Sequence, residues 1–426
     1  MNILVVGSGG REHAIIKKLK ENKKVASIYA LPGNGGIASD AICVPIDVKD
    51  INLIVDFALK NKIDFVVVAP DGPLVAGTVD ALNLVGIPCF GPTANAAIIE
   101  GSKVFSKKLM KKYNIPTAAY ETFSDMQKAL DYLKNSPLPV VIKADGLALG
   151  KGVIIAETLE EAKKAIISIM SDKIFGESGN NIVIEEFLSG VEVSVLSFSD
   201  GKTIVPMISS MDHKRAFDND EGLNTGGMGA IAPNPYYTAD IAAECMKTIF
   251  IPTINAMNYE NRPFKGCLYF GLILTEKGPK VIEYNCRFGD PETQVVLPLL
   301  KTDLLDIMLS VENGTLNEQK IEFSDHSACC VIVASKGYPV KYETGFKVQL
   351  PKIPNDTNVY FAGIKKSNEQ LLSNGGRVLG VTSVCKTLDS AIKKAYDYTS
   401  KIQFENGFFR HDIGKKALNI IAKGEK

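Results

Sequence analysis

The first hundred residues alternate short β-branched runs with helical stretches, and that alternation constrains the fold more than any other feature. Strands are predicted over 2–6, 27–30 and 64–69, and helices near 11–20, 51–60 and 74–85. A strand, a helix and then another strand require a crossover connection, and successive crossovers build a parallel sheet covered on both faces. In sheets of this kind ligands bind beyond the carboxyl ends of the strands. Here those ends carry the glycine-bearing loops 7–10, 32–36 and 70–77.

The remaining chain changes character twice. A basic helical stretch over 103–112 runs into the break Asn114-Ile115-Pro116-Thr117. The segment 122–184 then reads as a small α/β unit, with a helix over 125–134, a strand over 140–143, a glycine loop, a strand over 153–156 and a helix over 159–170. Strands over 191–199 and 203–209 turn at Asp200-Gly201, a hairpin signal. A helix over 239–257 follows, then a second hairpin, 267–275 and 280–285, turned at Lys277-Gly278. From about 325 the pattern is strand-rich with one clear helix over 388–401. A chain of 426 residues accommodates several domains. The expected divisions are 1–101, 102–325 with a small subdomain near 122–187, and 326–426.

Charge narrows the function classes. Lys plus Arg and Asp plus Glu each number 48, so no net field favours nucleic acid or a membrane surface. No apolar run approaches the roughly 18–20 residues of a spanning helix. The N-terminus lacks a basic segment followed by an apolar one, so no signal peptide is expected. Eight cysteines without a CxxC pair read as reduced thiols of a cytoplasmic protein.

Four motifs carry chemistry. Gly7-Ser8-Gly9-Gly10-Arg11-Glu12 invites a dinucleotide reading, as in a nicotinamide oxidoreductase. Glu12 stands where a third small residue is needed, however, and the second strand ends at Ala30-Leu31-Pro32-Gly33 without the required acid. A turn whose free amides cradle one phosphate fits better, with a bare tight turn as the alternative. Next, Lys143 ends an apolar strand and Gly146, Gly150 and Gly152 follow, an order that excludes a P-loop but suits a flexible hairpin over a triphosphate. Glu185 and Glu186 end another apolar strand, where burial demands donors; an adenine amino group and ribose hydroxyls would supply them. Finally, Glu283, Asn285 and Arg287 alternate on one strand and share a face. Two oxygen ligands at i, i+2 suit a hard cation such as magnesium, and the guanidinium one step on suits a migrating phosphoryl group. A salt-bridged edge strand would use the same residues.

The order of lysine strand, glycine loop, Glu-Glu hinge and Glu-x-Asn-x-Arg strand resembles the ATP-grasp superfamily. Within it the chain is similar, end to end, to the phosphoribosylamine–glycine ligases, through GSGGREHA, PGNGG, PDGPLVAG, FGPTANAAIIEGSK, KADGLALGKGV, DHKRAFDNDEGLNTGGMGA and EYNCRFGDPETQ. The resemblance implies an α/β protein: an N-terminal doubly wound parallel sheet, an ATP-grasp core with a small mobile lid subdomain, and a strand-rich C-terminal domain. It implies ligation of glycine to 5-phosphoribosylamine through glycyl phosphate, with ATP and Mg2+ or Mn2+, in purine biosynthesis by a monomer. It places Lys103, Lys143, Gly150, Glu185, Glu186, Leu188 and Glu192 on ATP and assigns Glu283 and Asn285 to the metal. Arg287, Asp212 and Lys214 would be catalytic. Gly9, Gly10, Asn224, Thr225, Gly226, Gly227, Met228, Asp290 and Glu292 would line the glycine and phosphoribosylamine pockets. His213 reads as structural. Two departures stand out: Gly271 occupies the place of another metal carboxylate common in the superfamily, and the hinge reads Gly190-Val191-Glu192, with one carboxylate for the ribose. Another ATP-grasp carboxylate–amine ligase remains the alternative.

Overall fold

The computed structural model describes residues 1–147 and 152–424. Its first sheet has five strands, all parallel. Asn2–Gly7 is central, flanked by Ser27–Pro32 and Ile42–Cys43 on one side and Phe65–Val68 and Cys89–Phe90 on the other. Ile3 and Val5 enter one apolar core and Leu4 and Val6 another, the period-two signature of a strand buried on both faces. The helix expected over 74–85 is two helices, Asp71–Val75 and Thr78–Leu84. Gly77 between them takes φ 89°, a left-handed conformation that a right-handed helix cannot continue through.

The expected small unit is a separate antiparallel sheet in the order Tyr120–Phe123, Ile182–Glu186, Val140–Ala144 and Val153–Ala156. Helices Met126–Leu133 and Leu159–Met170 cover it. Asp125 caps the first helix, and Thr158 with Glu161 forms a reciprocal capping box on the second. Its apolar core, built around Ile142, Ile166 and Ile184, is its own.

Beside it lies a four-stranded antiparallel sheet. Val191–Asp200 and Lys265–Thr275 form its centre, with Ile204–Pro206 and Gly278–Asn285 at its edges. The strand expected over 203–209 is this short one, although Met207 still donates to the Leu196 carbonyl at 2.7 Å and Ser210 makes an isolated bridge to Ser194. The helix expected over 239–257 is interrupted by a π turn, Met246–Phe250. Pro252, one residue into the next helix, removes the donor that would close the regular pattern.

The C-terminal sheet runs Met211–Asp212, Gly229–Ala232, Ser327–Ser335, Arg377–Cys385, Thr357–Phe361, with Gly407–Phe408 also against Ser327–Ser335. Two of its strands thus come from the middle of the chain. They carry the segment between them, 213–228, to the junction of the C-terminal sheet with the four-stranded one.

Candidate active site

The edge strand Gly278–Asn285 presents Glu283, Asn285 and, just past its end, Arg287 on a half-buried face, while Tyr284, Cys286 and Phe288 are buried behind them. Arg287 is held in place. Its Nη2 donates to Asn285 Oδ1 at 3.2 Å and pairs with Glu100 at 3.3 Å, and its Nη1 donates to the Phe288 carbonyl at 3.2 Å. Glu100 is itself anchored, since its other oxygen accepts the Cys286 amide at 2.6 Å. The buried Arg287 Nε has no partner among the described residues. Glu283 is different. Burial raises its pKa, but Lys214, Lys143, Lys103 and Arg287 outweigh it and hold the carboxyl below its usual range. No described cation lies within ion-pair distance of it.

Beyond Glu283, toward the small subdomain, lysines dominate. Lys143 donates to the Ile282 carbonyl at 3.0 Å and pairs with Glu185 at 3.0 Å. Lys107 reaches the other Glu185 oxygen at 3.2 Å and donates to Thr117 Oγ1 at 2.7 Å; burial brings its ammonium down to about 8 against the pull of Glu185. Lys103 bonds the Gly146 carbonyl at 2.8 Å, and burial lowers it against the attraction of Glu283. Asp145 accepts from Ser102 Oγ at 3.0 Å and from the Val104 amide at 3.1 Å, so the base of the glycine hairpin is fastened to a helix N-terminus. Glu186 accepts from the Ala119 amide and from Lys280, each at 3.0 Å. The hinge carboxylates therefore find donors within the chain. Leu188 is half-buried in the hinge. Gly150 lies outside the described residues.

On the other side of Glu283 the carboxylates gather. Lys214 pairs with Glu192 at 2.8 Å; burial opposes its charge, but Glu192, Glu283 and Asp212 hold it well above the ordinary lysine range. Burial and the charge of Glu292 push Asp212 well above the usual carboxylate range, and burial raises Glu292 as well. Tyr269, buried beside them, shares a 2.8 Å hydrogen bond with Ser194. Asp290 behaves oppositely: burial is outweighed by Arg377 and Arg11, which hold it ionised. The 224–228 turn is half committed to structure. Thr225 Oγ1 donates to the Lys214 carbonyl at 2.8 Å and accepts the Gly227 amide at 2.9 Å. Asn224 pairs with Arg215 at the open end of a two-stranded hairpin, and Gly226 and Gly227 follow it on the way to the strand Gly229–Ala232. Met228 corrects the sequence reading. It is fully buried and its main chain is used on both sides, by the His213 carbonyl and the Ile332 amide, so its side chain packs and does not line a pocket.

The N-terminal turn also departs from expectation. Gly9 N–H donates to Glu12 Oε2 at 2.5 Å and Arg11 N–H to Asp290 Oδ2 at 3.4 Å. The amides of Gly9 and Arg11 are therefore not free, because carboxylates of the chain satisfy the helix N-terminus. Gly7, at φ 129°, lacks the Cβ that would strike the Glu12 side chain, and Gly10 lacks the one that would strike Gln294. Glu12 thus fills the space a dinucleotide pyrophosphate would need. His213 is neutral: its Nε2 accepts the Gly414 amide at 3.1 Å and Nδ1–H donates to the Gly229 carbonyl at 3.3 Å, while burial brings it down to about 4.

Comparison with known proteins decides the family. Residues 1–100, 101–293 and 328–416 match, in turn, the N, ATP-grasp (A) and C domain models of phosphoribosylglycinamide synthetase. A phosphoribosylamine–glycine ligase of Halalkalibacterium halodurans is 46% identical over 419 residues, 98% of this chain and 97% of that protein. The chain belongs to the phosphoribosylamine–glycine ligase family. The crystal structure of such a ligase from Thermotoga maritima superposes with a TM-score of 0.86 at 32% identity, covering 97% of this chain and all of that one. A biotin carboxylase domain from Hydrogenobacter thermophilus, solved with MgADP and bicarbonate, shares the fold at 15% identity and a TM-score of 0.73, over 99% of this chain and 93% of that one. The chain is accordingly an ATP-grasp carbon–nitrogen ligase of purine biosynthesis.

Several residues around the family's cleft escaped the sequence reading. Lys107 and Tyr269 sit on elements with no motif of their own, and Glu100, although inside the FGPTANAAIIEGSK stretch, was given no role. Arg377 comes from the C-terminal sheet, far along the chain. A charged residue in an apolar helical run, as Glu100 is in Ala96–Ile99 and Lys107 beside Leu109 and Met110, was the one available signal. Gly271 stands directly across from Glu283, and a Cβ there would come 3.1 Å from the Glu283 Cγ. The departure from the superfamily's second carboxylate leaves Glu283 room to lie over the strand.

Proposed function

We propose that this chain joins glycine to 5-phosphoribosylamine in two steps laid out along the cleft, from the lysines to the carboxylates. The observation that carries this reading is Glu283, one carboxylate facing Lys103, Lys143, Lys214 and Arg287. Lys143, Lys214 and Arg287 also pair with Glu185, Glu192 and Glu100, whereas Lys103 bonds the Gly146 carbonyl and is in no ion pair among the described residues, so a phosphate of ATP would supply the anion it lacks. Lys103 and Lys143 take the phosphates, while Glu186, Leu188 and Glu192 lie where the hinge meets the adenosine. Glu185 buffers Lys107 and Lys143 and keeps both ammoniums in place.

Glu283 and Asn285 offer hard oxygen donors, the set that suits Mg2+ or Mn2+, and the ion bound there would offset charge on the transferring phosphoryl group. Arg287, locked by Glu100 and Asn285, keeps one buried N–H with no partner among the described residues, aimed from the same face. In the first step the glycine carboxylate oxygen bonds to the γ-phosphorus and the bond to the β-phosphate oxygen breaks, giving glycyl phosphate and ADP. Lys214 and Arg287 hold the glycine carboxylate against the phosphoryl group. In the second step the amine nitrogen attacks the acyl carbon and phosphate leaves. The amine loses a proton in this step, and Asp212 and Glu292, whose raised basicity suits them to accept it, line that end. Eight free cysteines accord with a reducing, cytoplasmic setting.

The test is positional isotope exchange. ATP labelled with 18O at the β–γ bridge should scramble its label when glycine is present and phosphoribosylamine is absent, and adding the amine should release ADP. Scrambling without glycine, or none with it, would refute the acyl phosphate. ADP release with a different amine alone would favour another carboxylate–amine ligase.

A further inference from the structure

Arg377 opens the strand Arg377–Cys385 of the C-terminal sheet, yet its guanidinium leaves that sheet and joins two loops of the cleft. Nη1 alone donates to the Gly226 carbonyl at 2.7 Å, the Gly227 carbonyl at 3.3 Å and the Asp290 carbonyl at 2.7 Å, and it pairs with Asp290 Oδ1 at 3.3 Å. Tyr338, also C-terminal, accepts the Gly226 amide at 3.1 Å. Gly226 has room for this only because it is glycine: a Cβ there would sit 3.0 Å from the Arg377 Cζ.

The order of contacts along the cleft says which substrate this clamp serves. Lysines 103, 107 and 143 mark the nucleotide end, Glu283 and Lys214 the middle, and Asp212 with Glu292 the next station. The loop carrying Asp290 then meets the N-terminal turn through the Arg11 amide. Arg377 touches only this last stretch.

We propose that Arg377 is a positioning residue for the amine substrate: by tying the 226–227 turn to the Asp290 loop it fixes the wall of the acceptor end, and so sets affinity for phosphoribosylamine without touching ATP. The proposal rests on the two-step reading above. A charge-bearing fork held by three carbonyls orders two loops at once, and pre-ordering a binding wall lowers the cost of binding.

The experiment measures KM for each substrate, together with glycine-dependent isotope exchange, in Arg377→Ala, Arg377→Lys, Gly226→Ala and the double variant Arg377→Ala with Gly226→Ala. In Arg377→Ala we expect KM for phosphoribosylamine to rise about tenfold or more, with KM for ATP and the exchange rate within about twofold of wild type. Arg377→Lys should recover part of the loss, because one ammonium carries three donors to the point that Nη1 serves. Gly226→Ala should raise the same KM less, and in the double variant it should add nothing, since its only obstacle is gone. Additive effects, an unchanged KM for the amine, or equal rises for ATP and amine would overturn the proposal. Should Arg377→Ala fail to fold, Tyr338→Phe, which frees only the Gly226 amide, must raise the amine KM selectively or the proposal fails. Absence of exchange in wild type would defeat the acyl-phosphate reading instead, whatever Arg377 does.

Discussion

The two ends of the cleft solve opposite electrostatic problems with the same few residue types. At the nucleotide end Lys103, Lys107 and Lys143 crowd into a buried space with one internal carboxylate, Glu185, shared between two of them. At the acceptor end Asp212 and Glu292 face each other across a half-buried gap, with Lys214 and Arg377 offsetting their charge in part. Burial destabilises the charged form at both ends: Lys103 and Lys107 are pulled down, and Asp212 and Glu292 are pushed up. On the proposed reading, a buried lysine drawn toward its neutral form is kept charged by an arriving phosphate, whereas a carboxylate biased toward protonation takes a proton from an amine, so position along the cleft, more than residue type, would separate the two half-reactions. Glu283 stands at the boundary, an anion that Lys103 and Lys143 of the first end and Lys214 of the second all face.

Removing that boundary anion should have the largest effect. Glu283→Gln keeps the shape and deletes the charge, so we expect turnover to fall about 10³-fold, the scale of losing an electrostatic group at a phosphoryl-transfer centre. Stability should fall only modestly, because the surrounding cations that hold the Glu283 carboxyl below its usual range lose a shared anion but no direct ion pair among the described residues. Steady-state kinetics and a melting curve check both halves; a variant within tenfold of wild type would remove Glu283 from the chemistry and erase the distinction between the ends.

A smaller effect sharpens the acceptor end alone. Asp212→Asn should lower kcat/KM for phosphoribosylamine about 10²-fold, within the range of general-base losses, while leaving glycine-dependent isotope exchange in place. Its residual activity carries a second signature. The charge of Glu292 raises Asp212, so removing Asp212 should remove the limb that it sets and leave one set by Glu292 at lower pH. A limb that stays put would mean that the two carboxylates act independently.

The comparison also shows what the sequence could reveal. The parallel sheet was legible because alternating strands and helices leave a single topology, and the face shared by Glu283, Asn285 and Arg287 was legible because strands have a period of two. Both are local rules. The ties that hold the site together were not, since Arg377 reaches Asp290 across 87 residues and Glu100 reaches Arg287 across 187. No spacing rule links such positions. The glycine turns are open to two readings for a related reason: a loop such as 224–228 advertises close approach without saying whether a ligand or the chain's own atoms make it. Thr225 and Met228 spend their groups on His213, Lys214 and Ile332, and Gly9 spends its amide on Glu12.

His213 yields the smallest expected effect, and it lies one residue beyond Asp212 on the acceptor side. Burial holds it neutral down to about 4, below its unfolded value of 6.5. The unfolded chain therefore binds the extra proton across that window, so stability falls as the pH drops from 6.5 toward 4 and is unaffected above it. From pH 6.5 to 5 this one residue should cost the wild type about 2 kcal/mol. His213→Asn, which can still donate to Gly229, should be less stable at neutral pH but lose less on acidification, and denaturant midpoints at pH 7 and pH 5 measure the difference. Equal losses in the two proteins would show that His213 is protonated in the fold and that its Nε2 does not accept the Gly414 amide.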